Sequence, residues 1–340
     1  MTSTIHSAGD VSALNMLRRS IKPAVMAGVM VAAGLALSGC KMAVMDPKGP
    51  VAAGEKDLIL LAVALMLIPV IPVIVMTIAF AWRYRASNTT AKYAPDFEHS
   101  NRIEAVVWAV PCLIILALGA VTWVSTHTLD PRKAVAATAP NVKPVEVEVV
   151  SLDWKWLFIY PDYGVASVNE LALPVGTPVH FRLTSASVMN AFFVPQLGSQ
   201  IYTMTGMETQ LNLRADAVGV YDGMSTNYSG EGFAGMKFQA HALPQADFDA
   251  WVAKAKASTN SLDTSAYAQL SKRSQDLPVS YYGSVDPNLF HRVLNKCADG
   301  STPCTDDGMK MAMVKSMSAE QCKKKPESQQ SGRQKSERES

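Results

Sequence analysis

The stretch from Ser225 to Met236 has the spacing of a copper-binding loop. It reads STNYSGEGFAGM: two small polar residues with three residues between them, then a glycine, then an apolar segment that ends in methionine. Copper would need cysteines at the first two positions and a histidine shortly before the methionine, but the chain has Ser225, Ser229 and Phe233 there. A serine hydroxyl stays protonated near neutral pH and does not replace a bridging thiolate. The loop therefore keeps the frame of a copper site without its ligands.

The composition suits a protein that is partly membrane-embedded and partly globular. Hydrophobic residues make up 49% and charged residues 18% of the 340 residues, a length that allows two or three structural units. The net charge is +2 with no basic block in the folded region, which argues against a nucleic-acid partner. The five cysteines form no CxxC pair, so a zinc ribbon or a thioredoxin-like site has no support.

The N-terminus has the features of an export signal. Three basic residues precede an apolar run, Pro23 to Leu37, and the run leads into LSGC, which ends at Cys40. This pattern predicts a lipoprotein signal peptide over residues 1–39, with Cys40 acylated as the mature N-terminus. A first transmembrane helix is the alternative, but the run is shorter than the roughly 20 residues that a span needs. Both Met1 and Met16 stay open as translation starts.

Two longer apolar segments, Leu58 to Trp82 and Ala105 to Leu129, contain no Asp, Glu, Lys or Arg. Each exceeds the roughly 20 residues needed to cross a bilayer, so residues 40–130 are predicted to form a transmembrane hairpin. Pro69 and Pro72 should kink the first helix, which neighbouring helices can accommodate. A pair of buried core helices is the alternative interpretation.

The predicted signal also sets the orientation of the hairpin. If Cys40 lies outside the inner membrane of a bacterium, the loop from Arg83 to Glu104 is cytoplasmic and both mature termini are periplasmic. Basic residues in this loop agree with the positive-inside rule. The predicted location is therefore the inner membrane, as a multi-pass lipoprotein.

Short strands follow a Pro- and Ala-rich linker at 131–144. The sequence VEVEVV at Val145–Val150 alternates strictly, which predicts a half-buried strand. Further strands are predicted at Trp154–Pro161, Pro178–Leu183, Thr209–Ala215 and Gly219–Gly223. Short strands separated by turn residues indicate a Greek-key sandwich or barrel over residues 145–245.

The pattern changes after Pro244. Apolar residues at helical spacing predict a helix there, and a second, weaker helix is predicted at Ala266–Lys272, both within a C-terminal helical extension over 246–295. Residues 296–340 are predicted to be a disordered tail because of their polar composition. Whether Cys297 and Cys304 form a disulfide stays open, although an oxidising compartment would allow it.

Seven segments together resemble subunit II of the haem-copper terminal oxidases. They read DPKG, FAWRYRASN, HSNRIEAVVWAVP, DWKWLFIYP, SVMNAFFVPQLGSQIY, YSGEGFAGMKF and FDAWVAKAK, and they run from Asp46 to about Lys256. Within the family, the resemblance is closer to the quinol-oxidising branch, the cytochrome bo-type ubiquinol oxidases. It implies a membrane-anchored α+β protein with a two-helix transmembrane hairpin and a cupredoxin-like Greek-key β domain, followed by a C-terminal helical segment and a disordered tail.

In the cytochrome c branch of this family, the outer domain holds a dinuclear copper centre. The six matching positions here are Asn190, Ser225, Asn227 (through its backbone carbonyl), Ser229, Phe233 and Met236. Only Met236 keeps the ligand type, and a lone thioether does not hold copper. His180 and His241 lie at none of the ligand positions and are expected to be structural or surface residues. The resemblance therefore implies no metal or other cofactor in this chain.

The chemistry of the electron donor accounts for this loss. Cytochrome c docks outside the membrane and needs a copper entry point there, whereas ubiquinol arrives within the bilayer. The resemblance implies that subunit I oxidises ubiquinol and carries the haems and copper, and that this chain is a non-catalytic subunit of a respiratory, proton-translocating complex. It also implies smaller membrane subunits III and IV as partners. The alternatives are a free membrane lipoprotein for adhesion or sensing, and a copper-bearing cytochrome c oxidase subunit II.

Glu104 opens the second predicted span and has two candidate roles. Asn101 and Glu104 have the N-x-x-E spacing of a capping pair, and a carboxylate there suits the helix dipole. The family resemblance implies a second role, because a glutamate at the matching position stands at the mouth of a proton channel into subunit I. The aromatic residues between Trp154 and Tyr160 are expected to pack internally or to contact subunit I.

Overall fold

The computed structural model describes residues 42–92, 97–140, 142–298, 300 and 303–305. Cys40, the signal peptide and most of the predicted tail lie outside these residues. The chain divides into two compact units, 1–46 and 47–340. In the first unit the described part contains a single 3-10 turn, Ala43–Met45.

Two helices, α1 (Pro50–Arg83) and α2 (Asn101–Thr128), are long and apolar enough to cross a membrane. None of the other residues that the structure describes buries their most apolar segments, so the buried-core alternative is wrong. Helix α1 begins well before the predicted span. Gly49 is extended at the N-cap, and Pro50 has the fixed φ angle that favours a first helical turn.

The predicted capping pair at the start of α2 is wrong. Ser100 is the N-cap, with an extended φ of −150°, so Asn101 is the first residue of the helix and Glu104 lies one position too late to close a capping box. No side chain caps this end. The Glu104 carboxylate instead lies 2.5 Å from His99 Nδ1.

The outer domain is a sandwich of two sheets. The first sheet contains β1 (Val145–Leu152), β2 (Lys155–Tyr160), β3 (Val165–Val168), β5 (Pro178–Ser185), β8 (Thr209–Arg214) and β12 (Ser280–Tyr282). The second contains β4 (Glu170–Pro174), β6 (Asn190–Phe193), β7 (Ile201–Thr203), β9 (Gly219–Ser225) and β10 (Lys237–Leu243). The strand order is β12-β3-β2-β1-β5-β8 in the first sheet and β4-β10-β9-β6-β7 in the second. Strand pairs β1–β5 and β4–β10 are parallel, and the other neighbouring pairs in these two sheets are antiparallel.

Aromatic rings fill the space between the sheets. Phe192 and Phe238 stack with ring centroids 5.3 Å apart, and Trp156 and Phe158 pack on their edges. Trp156, Phe158 and Tyr160 are fully buried. Internal packing, one of the two roles expected for this aromatic stretch, is therefore the one that these three residues have.

Strand β1 is buried on both faces, so the prediction of a half-buried strand is wrong. The C-terminal extension covers its second face with α4 (Thr264–Leu270), α5 (Leu289–Leu294) and a small sheet of β11 (Ser261–Leu262) and β13 (Ser284–Val285). A second hydrophobic core forms there. Its members include Val150, Leu152, Leu157, Ile159, Leu262, Tyr267, Phe290 and Val293. The remaining helix, α3 (Gln245–Lys256), packs against β3 of the first sheet and the edge strand β4 of the second.

Polar contacts fasten the extension to the sandwich. The fully buried Lys155 donates from Nζ to Lys272 O at 2.7 Å and to Ser274 Oγ at 2.6 Å. Cys297 and Cys304 form a disulfide, which resolves a pairing that the sequence left open. The Thr305 amide donates to Asn295 O at 3.1 Å, so ordered chain continues past residue 296, where the tail was predicted to begin.

The linker runs along the outer edge of β8. The Asn212 amide donates to Pro131 O at 2.9 Å, and the Thr138 amide donates to Gly176 O at 3.0 Å. Helix α1 meets the same end of the domain. A Cβ atom on Gly49 would lie 2.3 Å from Arg214 O, so only glycine permits this close approach.

Candidate functional site

The end of β9 and the start of β6 bring the first two copper-like positions together. The Ser225 hydroxyl donates to Asn190 Oδ1 at 3.2 Å, and both residues are buried. Asn190 Nδ2 donates to Val188 O at 3.2 Å, which fixes the orientation of the amide. Strand pairing causes this juxtaposition, because Phe192 on β6 lies opposite Ser225 on β9.

Two further positions join this pair. Asn227 O lies 3.4 Å from Ser225 Oγ, and the Asn227 side chain donates to Met189 O at 3.0 Å. The Ser225 amide donates to Met236 O at 3.1 Å, and the Met236 side chain is buried. Asn190, Ser225, Asn227 and Met236 therefore meet at one end of the sandwich.

The last two positions make different contacts. The Ser229 hydroxyl is buried and has no hydrogen-bond partner among the described residues. Phe233 packs edge-on against Tyr228, with ring centroids 5.6 Å apart. Neither side chain bonds to the cluster around Ser225 in the part of the chain that the structure describes.

Trp154 holds the loop in place. Its backbone adopts a positive φ of 62°, and its indole nitrogen donates to Ser229 O at 3.0 Å. The ring covers Gly230 and Gly232, and a Cβ atom on Gly232 would lie 2.5 Å from the ring atoms. Sequence reasoning placed Trp154 in an aromatic strand and missed this role. The glycines of SGEG are the available signal, since closely spaced glycines often mark the close approach of another group.

The donor set does not fit a dinuclear copper centre. It offers a hydroxyl already bonded to an amide, a second hydroxyl, a carbonyl and a thioether, and a phenyl ring stands where an imidazole would be needed. Copper sites of this kind depend on thiolate and imidazole ligands. Across the described residues no group of three or more His, Cys, Asp or Glu side chains could hold a metal ion.

The two histidines outside the loop lie in separate places. His180 Nδ1 is 2.9 Å from Asn212 Oδ1, between neighbouring strands. His241 Nε2 is 3.6 Å from Glu170 Oε2 on the facing strand β4. Each histidine thus has a structural neighbour within the sandwich.

Glu104 lies at the other end of the molecule, in the first turn of α2. His99 contacts Glu104 through Nδ1 and the Asn101 side chain through Nε2. Both His99 and Glu104 are more than half exposed in the isolated chain, which leaves the carboxylate accessible to water. Sequence reasoning missed His99 as the neighbour of Glu104.

Comparisons with known proteins decide the family. The family described as "Cytochrome C oxidase subunit II, periplasmic domain" matches residues 165–243, and the "COX Aromatic Rich Motif" matches 256–301. The "Cytochrome bo(3) ubiquinol oxidase subunit 2" of Pseudomonas aeruginosa is 56% identical over 80% of this chain and 82% of that protein. The chain belongs to the ubiquinol oxidase subunit 2 family.

Two further relatives agree with this family. The "Ubiquinol oxidase subunit 2" of Acetobacter aceti is 52% identical over 79% of this chain and 87% of that protein. The "Quinol oxidase subunit 2" of Bacillus cereus is 39% identical over 70% of this chain and 82% of that protein. The predicted resemblance to the quinol branch and the predicted α+β, cupredoxin-like fold are confirmed, and the cytochrome c oxidase alternative is wrong.

The aromatic-rich motif is the part of the subunit that the predicted resemblance missed, since that resemblance ended near Lys256. The motif supplies one side of the second core, to which it contributes Tyr267 and Phe290, and Tyr282 packs against that core. Tyr281 OH donates to Glu170 Oε1 at 2.6 Å, and Phe290 packs over the Arg182 guanidinium. The aromatic residues of this segment were visible in the sequence, but their spacing follows no simple helical or strand period.

Proposed function

We propose that this chain is the non-catalytic subunit II of a proton-pumping terminal ubiquinol oxidase in the aerobic respiratory chain. The complex oxidises two ubiquinol molecules to ubiquinone and reduces one O₂ to two waters. Haems and copper on subunit I carry the electrons. The observation that supports the proposal most is the loop at Ser225–Met236, which contains no cysteine or histidine and whose first residue is hydrogen-bonded to Asn190.

The outer domain serves as a folded cap in this proposal. An intact aromatic core and a second core beneath the aromatic-rich motif give it a rigid surface without any cofactor. The exposed apolar helices α1 and α2 would anchor it beside subunit I and the smaller subunits III and IV. Its role is then to support the assembly of subunit I and to shape the periplasmic side of the complex.

The membrane placement has two parts. Helices α1 and α2 span the inner membrane with both mature termini in the periplasm. Cys40 carries the lipid of a processed lipoprotein, which supplies a third anchor. Mass spectrometry of the mature N-terminus should find cleavage before Cys40 and attached acyl chains, and an intact Met1 or Met16 would contradict this.

Proton entry is the one step of the reaction in which this chain takes part. Glu104 lies in the first turn of α2, where its carboxylate is open to water and adjoins His99. An ionisable group at such a helix end can pass protons towards a partner subunit. Glu104 would therefore deliver protons from the cytoplasm to a channel in subunit I.

Purification tests this function directly. The tagged chain, extracted in mild detergent, should bring with it a haem-containing complex that consumes O₂ with ubiquinol and does not oxidise cytochrome c. A chain that purifies without haem would support a free lipoprotein, and a complex that oxidises cytochrome c would contradict the assignment to the quinol branch.

A further inference from the structure

A cleft of about 400 Å³ lies at the end of α1 that adjoins the interhelical loop. Its lining combines two cations, an indole, an amide and a small apolar residue. These residues are Ala79, Trp82, Arg83, Arg85 and Asn88. None of them has a part in the proposed electron or proton path.

Among the described residues, no carboxylate neutralises the two arginines of the cleft. Neither Arg83 nor Arg85 has a carboxylate within ion-pair distance in the part of the chain that the structure describes. The Arg85 guanidinium lies 5.4 Å from the centre of the Trp82 ring, which orients it towards the helix end. Guanidinium groups bind phosphate in a bidentate manner, so the cleft has the charge and the hydrogen-bond donors that a phosphate group needs.

The C-terminal end of α1 repels an anion less than a helix end with unbonded carbonyl groups would. Carbonyl groups at the end of a helix carry partial negative charge. The Asn88 side chain donates to Arg83 O at 2.6 Å and so occupies one of these carbonyls. The same bond closes the turn that brings Arg85 alongside Trp82.

Apolar surface continues from the cleft along α1. Val75, Ile78 and Phe80 each expose more than half of their side-chain surface, and Trp82 lies at the boundary. Indole rings favour the interface between headgroups and acyl chains. A ligand that fits both parts must have an anionic phosphate at one end and hydrocarbon at the other.

We propose that this cleft binds the headgroup of an anionic glycerophospholipid, with its acyl chains along α1. The phosphate lies between Arg83 and Arg85, and the glycerol region lies against Trp82. The inference needs only that α1 spans a membrane and does not depend on oxidase activity. A basic residue near a membrane surface contributes about 1 kcal/mol to the binding of anionic lipid, so the pair should contribute about 30-fold in affinity.

Lipid analysis of the intact complex tests the proposal. Complexes are placed in nanodiscs of phosphatidylcholine with a minor share of phosphatidylglycerol, and the bound lipids are measured by native mass spectrometry. The double variant Arg83→Gln/Arg85→Gln should bind phosphatidylglycerol about 30-fold more weakly at this site. The control Arg102→Gln removes a positive charge near the same loop but outside the cleft, and it should bind as the unaltered complex does. Equal binding in all three, or equal loss in both variants, would overturn the proposal.

A second measurement needs no variant. A photoactivatable phosphatidylglycerol analogue should cross-link the unaltered complex within residues 79–88, and a phosphatidylcholine analogue should not. An excess of inorganic phosphate should leave the cross-link in place. Equal cross-linking by both lipids, or loss of the cross-link in free phosphate, would overturn the lipid assignment.

Discussion

The protonation of a few ionisable side chains in this subunit depends on their charged neighbours, and Arg182 lies at the centre of one such group. Arg182 lies 2.9 Å from Glu148, 3.3 Å from Glu146 and 2.8 Å from Glu208. Phe290 covers the guanidinium from the aromatic-rich motif. Arg182 thus lies near three carboxylates on the sheet surface that the aromatic-rich motif covers. Among these carboxylates, the one with the least access to water should have the largest effect on how stability depends on pH.

Glu148 is that group. Burial raises its pKa to about 7, and nearby Arg182 only partly opposes this. A folded-state pKa above the ordinary value means that stability is fully present below about pH 4.5 and is lost as the pH rises through about 7. The loss is at most about 3 kcal/mol, at 1.36 kcal/mol per pKa unit. Hydrogen exchange of β1 in the intact complex should therefore show less protection at pH 8 than at pH 5, after correction for intrinsic rates.

Two variants identify the source of this pH dependence. Glu148→Gln should flatten the protection profile between pH 5 and 8, whereas the exposed Glu231→Gln should leave it unchanged. Glu208 titrates in a different window, because its hydrogen bond with Arg182 lowers its pKa. A profile that stays steep in Glu148→Gln would assign the effect to another group.

Glu104 is the second residue with a testable role. Because no side chain caps α2, Glu104→Gln should assemble normally and keep the helix intact. If the carboxylate passes protons, the variant should slow ubiquinol-dependent O₂ consumption about 10-fold, which corresponds to about 1.4 kcal/mol in the barrier to proton delivery. Glu98→Gln makes the same change to an exposed carboxylate just before this helix, and as the control it should retain full turnover. Normal turnover in an assembled Glu104→Gln complex would leave Glu104 without a role in proton entry.

The loop from Ser225 to Met236 is an element held by contacts on both sides. Trp154 lies against its glycines, and Asn190 binds its first residue. Gly232→Ala should displace the indole and lower the stability of the outer domain by about 1–3 kcal/mol, as overpacking usually does. Thermal unfolding of the purified complex measures this change.

The control for this variant lies in the same loop. Glu231→Ala is exposed and should leave the unfolding temperature unchanged. In a double-mutant cycle, Gly232→Ala should lower the free energy of unfolding much less in a Trp154→Ala background, because the indole ring that the new methyl group would contact is absent. Additive effects of the two substitutions would show that the ring does not hold the loop.

Sequence patterns predicted these elements to different degrees. Alternation at Val145–Val150 correctly located a strand, since period-two patterns depend only on local residues. The second covered face of that strand depends on residues more than 100 positions away, which local pattern cannot show. The bond between Ser225 and Asn190 depends in the same way on the pairing of β6 with β9. The cap at Ser100 was missed because neighbouring Asn101 is an equally good capping residue.

At the scale of the whole molecule, a membrane hairpin carries a periplasmic cap that keeps the cupredoxin-like fold. Strand pairing still brings Asn190, Ser225, Asn227 and Met236 together. The aromatic-rich motif packs against the first sheet through the second hydrophobic core and accepts a hydrogen bond from Lys155 of that sheet. Because protein groups alone make the described contacts that shape the loop, we expect the fold of this domain to form without copper.

Copper loading of the outer domain tests this account most directly. The unaltered domain should bind no stoichiometric copper, because its loop offers no thiolate and no imidazole. The matched control restores the missing ligands with Asn190→His, Ser225→Cys, Ser229→Cys and Phe233→His, and it should bind about two coppers per chain if the frame is intact. Metal analysis and the visible spectrum report both outcomes. About two coppers on the unaltered domain, with the purple colour of a thiolate-bridged pair, would contradict the account.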